Sequence, residues 1–179
     1  SNILDTAGLI LLKNRKALNR GEGDEDKDDY QKEIQVFGAS GCCALYKKEA
    51  LQDIMLLNEY FDEDFFCLVE DVDLSWRLEK KGWRTLYCPE AVCTHYGGIS
   101  RKKSRFAQYL SMRNRYLMIL KNESLLGFLR YPLVFIIYDF WRNLYMLISS
   151  TKYFIKAIYE VIKLAPKMIN KRKVIFNKI

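Results

Sequence analysis

The sequence predicts an α/β fold with a helical extension at its C-terminal end. Strand-like apolar runs and helix-like periodicities alternate between residues 8 and 121, the pattern expected when helices cover a sheet. Half of the 179 residues are hydrophobic and 14% are aromatic, enough to bury a core of one domain or one and a half. Glycines and prolines fall between the periodic segments rather than inside them, apart from a last apolar and basic stretch that reads as helix.

The segment "GLILLKNRKALNRGEG" reads as a β-hairpin, with an apolar strand, a turn near Asn14 and Arg15, and a return ending at Gly21. "EGDEDKDDYQ" follows as a polar loop. Asp24, Asp26 and Asp28 alternate as in a calcium loop, but Asp29 stands where a glycine is needed and Gln35 where a bidentate Glu belongs, so the loop is read as solvated. "EIQVFGASGCCALYKKEAL" gives a strand, a small-residue stretch from Gly38 to Cys43, a second strand, and a short helix from about Lys47. Small side chains let a ligand or another backbone approach closely; a bulge or a tight strand crossing would need them equally. A helix from Asp71 to Lys81 is capped by Gly82. "WRTLYCP" is a strand stopped by Pro89, "AVCTHYGG" a short strand running into glycines, and a long helix covers about Ser104 to Lys121.

The net charge of +7 is local. From Lys152 onward seven lysines and one arginine stand against Glu160 alone, so the preceding residues are neutral. A nucleic-acid partner is not expected, because these bases share one stripe with few aromatics free to stack. The five cysteines, Cys42, Cys43, Cys67, Cys88 and Cys93, are odd in number and lack a CxxC spacing. They are read as small buried residues of a reducing compartment.

Chemistry concentrates in "FFCLVEDVDLSWRLEKKGW". Glu70 and Asp71 fall at a helix N-terminus, where free N–H groups and the dipole favour negative charge whatever the function. Here they also follow an aromatic segment that would wall a pocket. Partial desolvation and a neighbouring like charge both raise a carboxylate pKa, the tuning a general base needs. His95, the single histidine, cannot make a metal site without other ligands.

In their order, "FGASGCCALYKKEAL", "YFDEDFF", "EDVDLSWRLEKKGW" and "YCPEAVCTHYGG" resemble the second half of the catalytic domain of family 2 glycosyltransferases of the GT-A fold, most of all rhamnosyltransferase-like members that build cell-surface polysaccharides. The likeness covers about residues 3 to 121. It implies an inverting transfer from a nucleotide-diphosphate sugar to a glycan or lipid-linked acceptor. It gives Asp71 the role of catalytic base, with Glu70 as its partner, and places His95 in the shell of a divalent metal, Mg²⁺ or Mn²⁺. Gly38, Ala39, Ser40 and Gly41 would border the acceptor pocket, Trp76 would offer a stacking wall, and Arg113 and Arg115 would meet the diphosphate. The family's nucleotide-binding first half, with its Asp-x-Asp motif, has no counterpart here: the two "DED" triplets at residues 24–26 and 62–64 are misplaced for it. The chain is therefore read as a C-terminal portion of a transferase, with residues 1–121 as the acceptor-side half. A non-catalytic membrane-binding or scaffolding module derived from such an enzyme is the alternative.

Residues 122–179 are expected to form an amphipathic, basic helical region. The apolar stretch from 125 to 151 is interrupted by Arg130, Pro132, Asp139 and Arg142, too often for a spanning helix. In "TKYFIKAIYEVIKLAP", Lys152, Lys156, Glu160 and Lys163 share one narrow stripe beside a wide apolar face. That pattern suits an anionic membrane surface, and the expected location is the cytoplasmic face of the cell membrane.

Overall fold

The computed structural model describes residues 3–96 and 104–177. They form two compact units: Ser1–Leu12, Lys16–Asp62 and Glu70–Tyr96 make the first, and Lys13–Arg15, Glu63–Val69 and Gly97–Ile179 the second.

In the first unit, β1 (Leu9–Leu11) and β2 (Ala17–Asn19) pair antiparallel with Ile10 opposite Leu18, as the hairpin reading expects. β3 (Ile34–Val36) leads to Gly38, whose carbonyl accepts from the Leu9 amide at 2.8 Å. After α1 (Lys48–Ile54) comes α2 (Glu70–Lys80), then β4 (Thr85–Tyr87), which pairs antiparallel with β3 with Gln35 opposite Leu86. The core lies between the two helices, where Ala50 and Ile54 meet Leu74 and Leu78. Every residue of α2 from Val72 to Leu78 is buried. Gly82 ends the helix at φ 81°: its amide donates to Glu79 O at 2.9 Å and that of Trp83 to Leu78 O at 3.1 Å. These are the paired reversed hydrogen bonds of a glycine C-cap, with Gly82 where the sequence puts it.

Three local expectations are corrected. No strand forms at Ala44–Tyr46: the Cys43 amide turns back to Ser40 O at 3.2 Å, and Ala44 and Leu45 are exposed, so no neighbouring strand is there to pair with. Residues 91–96 are likewise exposed and form no strand, because turns from Cys88 O to Ala91 N and from Glu90 O to Val92 N take the chain off the sheet edge after Pro89; Gly97 and Gly98 lie outside the described residues. The cysteines are free thiols, but four are exposed and Cys67 is half-buried. Cys42, Cys43 and Cys93 sit in those same surface segments, which no sheet covers.

The second unit is helical. α3 (Arg105–Asn122) starts after Ser104, whose hydroxyl accepts from the Ala107 amide at 3.1 Å and caps the helix. α4 (Leu125–Arg130) is capped by Ser124, α5 (Pro132–Ser149) opens on Pro132, and α6 runs from Thr151 to Asn177. This last helix continues through Pro166. Ala157, Met168 and Ile175 lie buried along it on both sides of the proline, so packing outweighs the lost hydrogen bond. Tyr109, Leu110 and Met112 pack with Met146 and Ala157 in the core. Arg113 donates to Glu160 at 2.8 Å and to the carbonyls of Asp64 and Phe65, each at 2.9 Å. Arg115 donates to Asp139 at 2.9 Å and to the Asn14 carbonyl, and its Nη1 is buried without a partner. Among the described residues no helix is long and apolar enough to cross a membrane. Nevertheless Leu126, Leu133, Trp141 and Ile148 are exposed on α4 and α5, and Ile155, Tyr159 and Ile162 on α6.

The segment Glu63–Val69 belongs to this unit and carries its strain. Phe66, Leu68 and Val69 have φ of 65°, 68° and 74°, a region that side chains, above all β-branched ones, enter at a cost of about 1 kcal/mol or more each. Asn114 on α3 holds the segment: its amide nitrogen lies 3.0, 2.8 and 2.7 Å from the carbonyls of Phe65, Cys67 and Leu68, and Asn114 is fully buried. Asn114→Ala is expected to lower stability by about 1–3 kcal/mol, because the partly buried carbonyls of Cys67 and Leu68 lose this donor. A urea midpoint equal to that of the wild type would show that the segment keeps its shape without this side chain.

Candidate active site

The N-terminal end of α2 meets the small-residue turn within the first unit. Gly38 lies so close to α2 that a Cβ there would stand 2.1 Å from Ser75 Oγ and 2.3 Å from Ser75 Cβ. The glycine is therefore required by the approach of a helix. With the backbone that close, the Gly41 amide donates to Asp71 Oδ2 at 3.0 Å, while Asp71 Oδ1 accepts from the Val72 amide at 2.8 Å. One carboxylate thus takes two main-chain donors at a helix start, where the dipole favours its charge. It remains half-buried, beside an exposed Gly41.

Glu70 differs from its neighbour. Burial pushes its carboxyl above the usual range; its own backbone N–H opposes the rise and the charge of Asp71 adds to it. Its Oε2 is buried without a partner. Tyr46, a residue sequence reasoning passed over, faces the same charge: burial and Asp71 push its hydroxyl up to about 12, and that hydroxyl is also buried without a partner. Two polar atoms without partners, one able to donate and one to accept, therefore lie close to a carboxylate that main-chain groups orient.

The third acid, Asp73, belongs to the core. It is 0% exposed and pairs with Arg77, 2% exposed, at 3.1 Å. Trp76 is also interior, 6% exposed, with the Lys80 ammonium 5.9 Å from its ring centre. Ala39 and Ser40 are half-buried, and the Ser40 hydroxyl accepts from the Cys42 thiol at 3.4 Å. Arg113 and Arg115 lie in the helical unit, on the protein acceptors described above.

His95 has a partner that the sequence did not suggest. Its Nδ1 lies 2.7 Å from Asp5 Oδ2, with side-chain exposures of 35% and 31%. Ligand atoms of Asp5, Cys42 and His95 all fall within 4.8 Å of one another. Cys93 shares a hydrogen bond with Cys43, which raises its thiol pKa; burial, Cys42 and Asp5 add to the rise. The sequence hint for Asp5 is only its position just ahead of β1, since pairing with a residue ninety positions away leaves no local pattern.

Residues 14–118, more than half of the chain, match the family model described as "Glycosyltransferase like family 2". The chain is similar to N-acetylglucosaminyl-diphospho-decaprenol L-rhamnosyltransferase of Mycobacterium tuberculosis (strain CDC 1551 / Oshkosh), 33% identical over 94 residues, which are 52% of this chain and 29% of that protein. It is also similar to poly-beta-1,6-N-acetyl-D-glucosamine synthase of Staphylococcus aureus (strain COL), 35% identical over 74 residues, 38% of this chain and 16% of that one. The chain thus spans less than a third of the length of these curated relatives. No solved structure matches it. The matched span takes in the turn from Gly38, the start of α2 and His95 together, and with this mixed helix and strand framework the chain belongs to the family 2-like glycosyltransferases.

Proposed function

We propose that the chain is the acceptor-side half of a GT-A catalytic domain, part of an inverting transferase that moves a sugar from a nucleotide-diphosphate donor to a glycan or lipid-linked acceptor in cell-surface polysaccharide synthesis. The observation that carries the reading is Asp71, a half-buried carboxylate aimed by the Gly41 and Val72 amides beside a partner, Glu70, whose proton affinity is raised. A lipid-diphosphate acceptor in one relative's name and a glycan product in the other's support the acceptor class.

Asp71 would take the proton of the acceptor hydroxyl as that oxygen attacks the anomeric carbon on the face opposite the diphosphate. The bond to the diphosphate breaks, and its electron pair leaves with the phosphate oxygen. Glu70, which holds a proton more readily, limits the charge gathered at the helix start. The unpartnered Tyr46 hydroxyl can hold the acceptor, with Gly38 to Gly41 giving it a backbone edge. The Mg²⁺ or Mn²⁺ ion that the family resemblance implies would find a carboxylate and an imidazole in Asp5 and His95, donors compatible with Mn²⁺, and when bound would offset charge on the leaving diphosphate. Arg113 and Arg115 already have acceptors within the helical unit, so this reading leaves them there. Exposed apolar side chains on α4 to α6 beside Lys152, Lys156 and Lys163 support contact with an anionic membrane at its cytoplasmic face.

In the complete transferase, Asp71→Asn is expected to cut turnover by about 10²–10⁴-fold, the usual weight of a general base, with donor binding nearly intact; turnover within a few-fold of wild type would refute the assignment. Glu70→Gln tests the partner through pH. A raised acid contributes stability below its unfolded value of 4.5 and loses it as pH rises through the folded value. The Gln variant should therefore be more stable than wild type at neutral pH, with the gap closing on acidification below 4.5; a melting-temperature difference independent of pH would contradict this. For the membrane, changing Lys152, Lys156 and Lys163 to Glu should weaken flotation with anionic vesicles by at least about a hundredfold, at about 1 kcal/mol per lysine. Equal binding to anionic and neutral vesicles, unmoved by the change, would count against a charged docking face.

A further inference from the structure

We propose that Arg115 on α3 and Arg142 on α5 hold the phosphate of a singly charged phosphodiester, the headgroup of an anionic phospholipid. Both residues lie in the helical unit. Arg115 is 5% exposed; its Nε and Nη2 donate to the two oxygens of Asp139 at 2.9 and 3.3 Å, and Nη2 also to the Asn14 carbonyl. That leaves Nη1, which is buried without a partner, and Nη1 of Arg142 is buried without one too. Burial pushes the Arg142 guanidinium below its ordinary value and the charge of Arg115 pushes it further, while Tyr138, Tyr116 and Asp139 act the other way. Two like charges thus share a corner poor in water, each with a donor unused. Buried donors are seldom left unpaired, and an anion that accepts from both would satisfy them and offset their repulsion.

The charge decides the class of ligand. Asp139 is held by Arg115, and Tyr116, whose hydroxyl donates to Asn143 at 2.9 Å and is pushed up by burial, stays neutral. Two guanidiniums and one carboxylate leave a single positive charge. A phosphodiester carries one negative charge and two free acceptor oxygens, which suit a pair of guanidinium donors. A diphosphate carries more charge than this corner can balance, which separates the site from that of a nucleotide-sugar donor. The rim decides the source. Trp141, directly before Arg142, and Tyr145, about one turn after it, are exposed, and such aromatic residues gather at headgroup depth in bilayers. Ile137 and Ile148 are exposed on the same helix and offer apolar area to acyl chains. The inference deepens the membrane reading, on which its lipid source rests, and needs neither Asp71 nor the lysines of α6.

The test titrates dihexanoyl-phosphatidylglycerol, a lipid soluble as a monomer, into the 179-residue chain in about 150 mM salt and follows the phosphorus resonance of the headgroup. Binding should saturate at one lipid per chain, and the phosphatidylcholine of the same chain length, whose choline cancels the charge, should bind more weakly. Arg142→Gln should weaken binding at least about tenfold, the weight of a lost charge-assisted hydrogen bond. The same change should leave the melting temperature of the lipid-free chain equal or higher, because the charge it removes has no partner at Nη1; an arginine kept only for packing would lower it. Arg142→Lys should recover part of the binding, since it restores the charge without the planar fork. Changing Lys152, Lys156 and Lys163 to Glu should move this affinity less than about threefold, because distant charges are screened at that salt, so a failure here is distinct from a failure of the lysine stripe. Binding that never saturates, binding unmoved by Arg142→Gln, a lower melting temperature in that variant, or inorganic phosphate bound as tightly as the lipid would overturn the site.

Discussion

The ion pair between Asp73 and Arg77 is the constraint on which the helix of the candidate site depends. Both side chains are out of water, and Arg77 also donates to the Ile54 carbonyl at 2.8 Å and to that of Tyr60 at 2.7 Å. One guanidinium therefore ties α2 to the end of α1 and to the turn beyond it. A buried pair is costly to desolvate and often stabilises no more than apolar packing would, but removing one partner leaves an uncompensated charge, at about 3–5 kcal/mol. The pair thus fixes where α2 lies more than how stable the unit is. Its position in turn sets the distance at which Ser75 meets Gly38 and Asp71 meets Gly41.

The three acids of one short stretch are separated by the partners they find. Asp73 has a cation, Asp71 has two main-chain amides, and Glu70 has burial with one oxygen unpaired. Desolvation disfavours the charged form, and hydrogen bonds to that form favour it. For Glu70 burial raises the pKa, its own backbone N–H opposes the rise and the charge of Asp71 adds to it.

What the sequence made legible was mostly local. The hairpin, the glycine stop at Gly82, the long helix from about Ser104 and the Glu-Asp helix start depend on residues within a few positions of one another, and the structure contains them. The strands expected around Ala44 and Val92 failed because a strand exists only if another pairs with it, and apolar residues there are left exposed. Cysteine burial was misjudged for the same reason, since apolar neighbours in sequence are not neighbours in a surface loop. Asp5 and Tyr46 were missed because their significance arises from side chains tens of residues away. Gly38 shows the intermediate case: its smallness was readable, but that Ser75 demands it was not.

The basic tail illustrates how tertiary contact divides a pattern that looks uniform in sequence. Of the stripe Lys152, Lys156, Glu160 and Lys163, Glu160 turns inward to Arg113 and Tyr109. Burial raises its pKa, but those hydrogen bonds together with the charges of Arg113 and Lys156 leave it lowered. Farther along, Lys171 is 1% exposed and, with Lys167, meets Asp64. Glu160 and Lys171 thereby face inward and, with the half-exposed Lys167, join α6 to the rest of its unit. Lys152, Lys156 and Lys163 stay on the surface, although Lys156 also sits over the Tyr109 ring at 4.7 Å. Ile155, Tyr159 and Ile162 are exposed on the same helix, so its outer side combines apolar area with positive charge that the core does not neutralise. Exposed apolar area of this kind commonly marks a contact site, and its pairing with positive charge, more than the net charge, is what the proposed contact with an anionic lipid face rests on.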